Sequence, residues 1–424
     1  MTDLLVIGAG LSGLVAAITA ARQGMHTRIV ATGMGAMHWT PGTIGVLGYL
    51  PGEKDPVKAP LEALDALAQA RPGHPYTLMD ADALRQSLNA FAELAASLGL
   101  VYHRAEDGGN LLLPSPAGAP RPVYLAPDGQ VEGDMGRFEP YVIVGFQALR
   151  DFYPTLIAEN LTKLGLQARA EFLPIELITD RRDFTTVHLA QALDNDATVK
   201  RLADALKKVL KPGERVGLPA ILGKKRHPAT MATLRQALDA PVFEIPTLPP
   251  SVPGIRLVTA MRDYFEKELH GRMDLGLTVT DFSANGSTVE WVSSQASARP
   301  VKHRADRFLL ATGGILGGGF GSDFTGRVQE VIFDLPLDVP QKRSEWFHPD
   351  FLAPEGHAVF RGGLRVGHDF RPLDADGQVV FENLWASGNL LTDSDPVSER
   401  SMEGIAIATA LAAVQNLLEA SFND

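Results

Sequence analysis

The stretch "LLVIGAGLSGLVAAITAARQGMHTRIVATG" (residues 4–33) decides how this chain folds. Leu4–Ile7 is a short apolar run ending at Gly8, the pattern of a buried parallel strand. Leu11 to Gln23 is rich in Ala and other good helix formers, and Gly24 closes it. Thr27–Ala31 reads as the next strand. Gly8, Gly10 and Gly13 stand in a G-x-G-x-x-G spacing at the strand–helix junction. The first permits a tight turn, the second lets backbone approach a phosphate, and the third lets helix and strand pack closely. Leu11 and Ser12 open the helix, where unpaired amides and the positive dipole end favour an anion. The pattern points to a dinucleotide or flavin. One piece is missing. The second strand should end on an acid for the ribose, but Ala31 and Thr32 stand there. Thr32 offers only a neutral hydrogen bond, about half as strong as a charge-assisted one. Two readings remain open: a full dinucleotide held through its pyrophosphate, or the shorter flavin mononucleotide (FMN).

Bulk properties narrow the classes. The chain has 424 residues, 45% hydrophobic and 21% charged, enough for two or three domains. Its net charge of −11, without a dense basic block, argues against a nucleic-acid partner. There is no cysteine, which excludes disulfides, thiolate zinc and iron–sulfur clusters of its own. No metal site is expected. No apolar run reaches the roughly 18 residues of a membrane span, and a cytoplasmic protein is expected.

A second set of pieces follows late in the chain. Phe308–Gly314 ("FLLATGG") is a strand ending in small residues, with Thr312 and Gly313 at its turn. Glu382–Leu391 ("ENLWASGNLL") is another, with Gly388 and Asn389 at its end. A long Ala-rich helix from about Met402 follows, opening near Gly404 and Ile405. In this order the pieces select flavin over nicotinamide. The expected fold is α/β: a Rossmann-like flavin-binding domain from residues 1–135 and 255–424, with an inserted α/β cap at 136–254. Between these, helices are expected at Leu149–Leu164, Leu189–Lys208 and Leu257–Leu269. "EIPTLPPSVPGIRL" (residues 244–257) is too proline-rich for helix or central strand.

With "MHWTPGTIGVL" (37–47), "VGFQALRDFYPTLIAENL" (144–161), "LATGGILGGGF" (310–320) and "RPLDADGQVVFENLWASGNLLTDSDP" (371–396), these motifs resemble the family of anaerobic glycerol-3-phosphate dehydrogenase B subunits over nearly the whole chain. The wider group is the fumarate-reductase-type flavoproteins. The resemblance implies a subunit of a complex that oxidises sn-glycerol 3-phosphate to dihydroxyacetone phosphate and passes electrons to menaquinone. It implies FMN as cofactor, with FAD allowed by the glycine fingerprint. It also implies an A-type flavoprotein partner and an iron–sulfur C-type partner that ties the pair to the membrane. Two positions depart from the pattern. Asn389 stands where an acid often follows the glycine, and Ser401, Met402 and Glu403 replace small residues before the last helix.

Oxidation of an alcohol needs a base, cations for the phosphate and a hydride acceptor. The loop Gly33–Gly45 is the expected flavin face, with Thr40, Gly42 and Thr43 small enough for close approach. His38 is read there as a base or as an ordinary loop histidine. Arg256, after the stiff proline loop, and Arg400 are the candidate phosphate ligands. Arg361, Arg365, His348, His357 and Asp395 are weaker candidates. A relay or docking subunit that binds flavin without oxidising substrate is the competing reading, and another substrate on the same scaffold is the third.

Overall fold

The computed structural model describes residues 2–295, 299–351 and 353–420. It divides into two compact units. The first comprises Met1–Ala36, Gly45–Leu94 and Ala260–Asp424; the second comprises Met37–Ile44 and Ala95–Thr259.

In the first unit β1 (Leu4–Ile7), α1 (Leu11–Arg22) and β2 (Thr27–Ala31) follow in succession. They are joined by β3 (Arg272–Leu275), β4 (Arg307–Leu310) and β5 (Leu384–Ala386). The sheet order is β3-β2-β1-β4-β5 and every pair is parallel. All four β1 residues are buried, as befits a central strand covered on both faces. The last helix, α2 (Met402–Glu419), packs against α1. A hairpin of Thr278–Asn285 and Thr288–Gln295 turns at Gly286, whose φ is 61°. Asn383 pins it, accepting from the Val289 amide at 2.8 Å and donating to the Val289 carbonyl at 2.9 Å.

The second unit carries its own parallel sheet in the order Val242–Ile245, Arg215–Pro219, Tyr141–Phe146, Ala168–Leu173. The strand reversal after Tyr141–Phe146 makes it doubly wound. Helices Pro154–Lys163, Asp196–Val209 and His227–Leu238 bury apolar faces in its core.

Three sequence expectations change. The helix expected over Leu189–Lys208 is two, Thr186–Ala192 and Asp196–Val209. Asn195 separates them, its side chain accepting the Ala197 and Thr198 amides at 3.0 and 3.3 Å as an N-cap. The proline-rich stretch contains a strand end and the start of helix Val252–Asp263, with Pro253 in the first turn, where the absent N–H is no loss. Finally, residues 95–135 group with the second unit, not the first. The end of that segment is held by Arg215, which is fully buried. Its guanidinium donates to the carbonyls of Glu132, Asp134, Arg137 and Glu139 at 2.8–3.2 Å. It also stacks over the Tyr141 ring at 3.8 Å. One side chain therefore gathers residues 132–139 onto the second sheet. Among the described residues no helix is long and apolar enough to cross a membrane.

Replacing Arg215 by Lys leaves a point charge where a planar fork met four carbonyls. The variant is expected to lose about 2–4 kcal/mol of unfolding free energy in urea titrations, from carbonyls left without donors. A loss below about 0.5 kcal/mol, the range of ordinary surface changes, would contradict this role for Arg215.

Candidate functional site

The site is built at the carboxyl ends of β1, β4 and β5. Gly8 leaves β1 with φ 118°, and a Cβ there would lie 2.2 Å from the Ala311 carbonyl oxygen. A Cβ on Gly13 would lie 2.0 Å from the Gly8 oxygen. Both glycines are demanded by packing inside the protein. Gly10 differs: among the described residues, no atom lies within 4 Å of its Cβ direction. It is the N-cap of α1, with no side-chain cap and no acid in the first turn. The first amides of α1, from Leu11 on, thus meet an uncapped, positive helix end beside open space. That is the geometry a phosphate requires.

The opposite wall comes from β5. Ser12 Oγ and Ser387 Oγ are 2.7 Å apart and buried. Gly388 has φ 78°, and its Cβ would meet Ser12 Cβ at 2.9 Å. Its amide donates to Thr409 Oγ1 at 2.8 Å, which locks the turn to α2. Thr312 Oγ1, beside Gly313, and Asn389 Oδ1 are buried without a hydrogen-bond partner among the described residues. Orphaned polar atoms beside an uncapped helix end fit a polar cofactor. The residues present therefore suit a flavin phosphate and its neighbouring polar groups.

Other expected contacts fare differently. Thr32 and Gly33 are exposed, and Thr32 Oγ1 is 3.1 Å from Thr278 Oγ1. The amide of Gly404 donates to the Gly45 carbonyl at 2.8 Å, and that of Ile405 to the Ser401 carbonyl at 3.0 Å. Both amides are engaged within the protein, so the expectation that they hold the cofactor is corrected. Glu403 accepts the Gly45 amide at 3.4 Å, which gives this acid at the helix start a structural role.

In the second unit the loop 37–44 is held from several sides. Thr40 Oγ1 donates to the Met37 carbonyl at 3.1 Å, and Thr43 Oγ1 accepts from Arg121 at 2.5 Å. Gln130 donates to the Pro41 carbonyl at 2.7 Å, and Tyr102 to that of Gly42 at 2.7 Å. Gly42 has φ 75° and lies against Pro253. His38 Nδ1 is buried without a partner among the described residues, and its ring meets Trp39 edge-on at 5.2 Å. Sequence reasoning missed Arg121. It sits between two prolines in a short strand, and nothing in its spacing tied it to Thr43.

Arg256 is a correction. Its guanidinium grips Glu244 at 2.6 and 2.9 Å and the Gly223 carbonyl at 2.8 Å, all buried. A fork already filled by a carboxylate has no capacity for a substrate phosphate. Burial pushes the Glu244 carboxyl up, but the Arg256 charge outweighs it and holds the pKa below the usual value. His227 adjoins the pair and donates Nδ1–H to the Leu222 carbonyl at 2.7 Å. Burial, then the Arg256 charge, lowers its pKa to about 4. Arg361 and Arg365 also have partners: the Glu355 carbonyl and, at 3.4 Å, Asp338. His357 Nδ1 accepts the His348 amide, and Asp395 caps Ser398, so these three are turn-formers. Arg400 has no ion-pair partner among the described residues. It is exposed, with φ 55°.

The buried His227 makes a pH test. Its folded pKa lies below the unfolded value near 6.5, so the unfolded chain takes the proton first. The stabilisation is present above pH 6.5 and falls as pH drops from about 6.5 towards 4, by on the order of 3 kcal/mol. Glu330, raised to about 7 by burial, runs in the opposite sense. The difference between wild type and His227→Gln isolates the histidine. Urea unfolding at several pH values should show that difference varying between pH 4 and 6.5 and flat above, whereas a flat difference throughout would contradict it.

The model of the family described as "FAD binding domain" matches residues 3–404. The anaerobic glycerol-3-phosphate dehydrogenase B subunit of Yersinia pseudotuberculosis serotype I is 31% identical over 428 residues, covering 98% of each chain. The probable B subunit of the same enzyme in Halobacterium salinarum is 31% identical over 424 residues, covering 97% of this chain and 96% of that one. Among solved structures, 3-ketosteroid delta1-dehydrogenase of Sterolibacterium denitrificans covers 99% of both chains at 12% identity and a TM-score of 0.46. E. coli quinol fumarate reductase covers 100% of this chain and 71% of that one at 10% identity and a TM-score of 0.46. Likenesses this distant carry no argument. The family's cofactor is a flavin, FAD by its description; the FMN form rests on the resemblance alone. The chain belongs to the FAD binding domain family and, within it, to the family of anaerobic glycerol-3-phosphate dehydrogenase B subunits.

Proposed function

We propose that this chain is the flavoprotein subunit of a quinone-linked sn-glycerol-3-phosphate dehydrogenase. The complex would oxidise glycerol 3-phosphate to dihydroxyacetone phosphate and send the electrons to menaquinone. The observation that carries the reading is the end-to-end likeness to these B subunits on a chain with an uncapped phosphate cradle at Gly10. A bound flavin supplies the two-electron acceptor that alcohol oxidation needs.

The chain's residues would place and polarise. The amides from Leu11 to Gly13 hold the flavin phosphate, and Ser12, Thr312, Gly313, Gly388 and Asn389 line its surroundings. Arg400, without an ion-pair partner among the described residues, receives the substrate phosphate. His38, whose Nδ1 lacks a partner there, is the proposed acceptor of the hydroxyl proton. Residues 1–36, 45–94 and 260–424 act as the flavin-binding unit, and 37–44 with 95–259 form a second α/β unit. With no cysteine, the chain needs a partner for any iron–sulfur relay, and we assign that to a C-type subunit that also provides the membrane contact. An A-type flavoprotein completes the complex at the cytoplasmic face.

One observation favours a second reading. Arg256 is locked to Glu244, which leaves the expected pair of phosphate cations one short. In that reading the chain binds flavin and relays electrons while the A-type partner oxidises substrate.

Anaerobic stopped-flow with glycerol 3-phosphate separates the readings. Loss of the flavin's visible absorbance in the isolated chain supports the dehydrogenase. Loss only when the A-type partner is added supports the relay. No loss under either condition contradicts both, and the mass of the flavin released by denaturation decides FAD against FMN.

A further inference from the structure

His74 is buried completely, and no step of the proposed reaction involves it. Its Nδ1 accepts the Tyr76 amide at 3.1 Å, so Nε2 carries the hydrogen that meets Glu399 Oε2 at 3.2 Å. Glu399 is equally buried and fully subscribed. Its carboxylate also accepts Ser401 Oγ at 3.0 Å and the Asp395 amide at 3.1 Å. Its carbonyl accepts the amides of Gly48 and Tyr49 at 2.7 and 3.2 Å. Burial raises the Glu399 pKa, but hydrogen bonds, that from His74 foremost, bring it below the usual value. The Tyr76 hydroxyl is pushed well above its ordinary value by burial and then by the Glu399 charge.

Arg400 lies between two clamped residues, Glu399 and the fully buried Ser401. It holds φ 55°, a conformation that strains a long side chain and suits glycine. Its carbonyl lies 2.4 Å from where a Cβ on Gly45 would stand. Among the described residues, no hydrogen bond from its own side chain compensates. Four acids surround it in sequence, and each has other partners: Asp393 takes the Gly73 amide, Asp395 takes Ser398, Glu399 takes His74, and Glu403 takes the Gly45 amide. The one guanidinium of this segment pairs with none of them. Strain imposed from outside on an unpaired cation marks a maintained position.

We propose that His74 and Glu399 are a buried positioning pair that forces the backbone at Arg400 into the left-handed conformation and so presents its guanidinium, unpaired, to an anionic ligand. The ligand half of this statement rests on the functional proposal above; the backbone half does not. His74 acts through Glu399 and touches no substrate.

The test is a double-mutant cycle on the full-length, flavin-loaded protein with Arg400→Gly and His74→Asn. Asn keeps an acceptor for Tyr76 and loses the reach to Glu399. Relief of strain should raise the thermal midpoint of Arg400→Gly by about 2 °C. That gain should vanish in the His74→Asn background, because Arg400 is then free to relax. A lowered midpoint in Arg400→Gly, or the same gain in both backgrounds, overturns the proposal. Should His74→Asn fail to fold, Glu399→Gln takes its place in the same cycle.

The ligand half is read by the shift that glycerol 3-phosphate produces in the flavin spectrum. His74→Asn should weaken this binding on the order of ten- to a hundredfold, with flavin content unchanged. Unchanged affinity in His74→Asn alongside its loss in Arg400→Gly overturns the positioning role. A non-additive stability cycle with affinity unchanged in Arg400→Gly upholds the positioning pair and sinks the phosphate role given to Arg400.

Discussion

The structure of the first unit depends on how closely three backbones meet at the end of β1. The Gly8 turn leaves no room for a side chain against Ala311, and Gly13 leaves none against Gly8. These two contacts set the distance from α1 to the sheet and from β1 to β4. The Ser12–Ser387 hydrogen bond then fixes β5 to the same helix. With those distances set, the N-terminus of α1 lies at the carboxyl ends of three parallel strands, where doubly wound sheets bind ligands. The cradle at Gly10 is the consequence: a place where backbone is left bare because everything around it is already packed.

The missing acid after β2 has a local counterpart. Thr32 is exposed and lies within hydrogen-bond distance of Thr278, so the position is built as a strand-to-strand contact. In the proposed mode of binding, a flavin would lean on its phosphate more than on an adenine ribose. The polar atoms without partners, Thr312 Oγ1 and Asn389 Oδ1, sit at β4 and β5 and not at β2. The unpartnered polar atoms of the candidate site therefore lie along the later strands.

Much of this was legible in the residues. Leu4–Ile7 and Tyr141–Phe146 fall where their apolar runs put them, because a strand buried on both faces leaves an uninterrupted signature. The glycine spacing marked the strand–helix turn, since Gly8 and Gly13 each answer a local steric demand while Gly10 faces open space. What stayed hidden depends on partners distant in the chain or on choices between local signals. Arg256 looks free because Glu244, on a strand before the prolines, carries no mark of pairing with it. Arg215 gathers 132–139 through backbone carbonyls, which every residue owns and no motif displays. Asn195 split a helix whose charge pattern ran smoothly through it. His74 and Glu399 are 325 positions apart, beyond any reading by periodicity.

The central claim is that bare amides at the start of α1 hold a flavin phosphate. Gly10→Val addresses it most directly, because this position has an ordinary φ of −74° and open space around its Cβ direction. The flavin content and thermal midpoint of the purified variant are the measurement. The predicted result is a folded protein that has lost most of its flavin, with affinity down by about tenfold or more from the blocked backbone approach. Flavin retained in full by a folded Gly10→Val would place the cofactor elsewhere and contradict the claim.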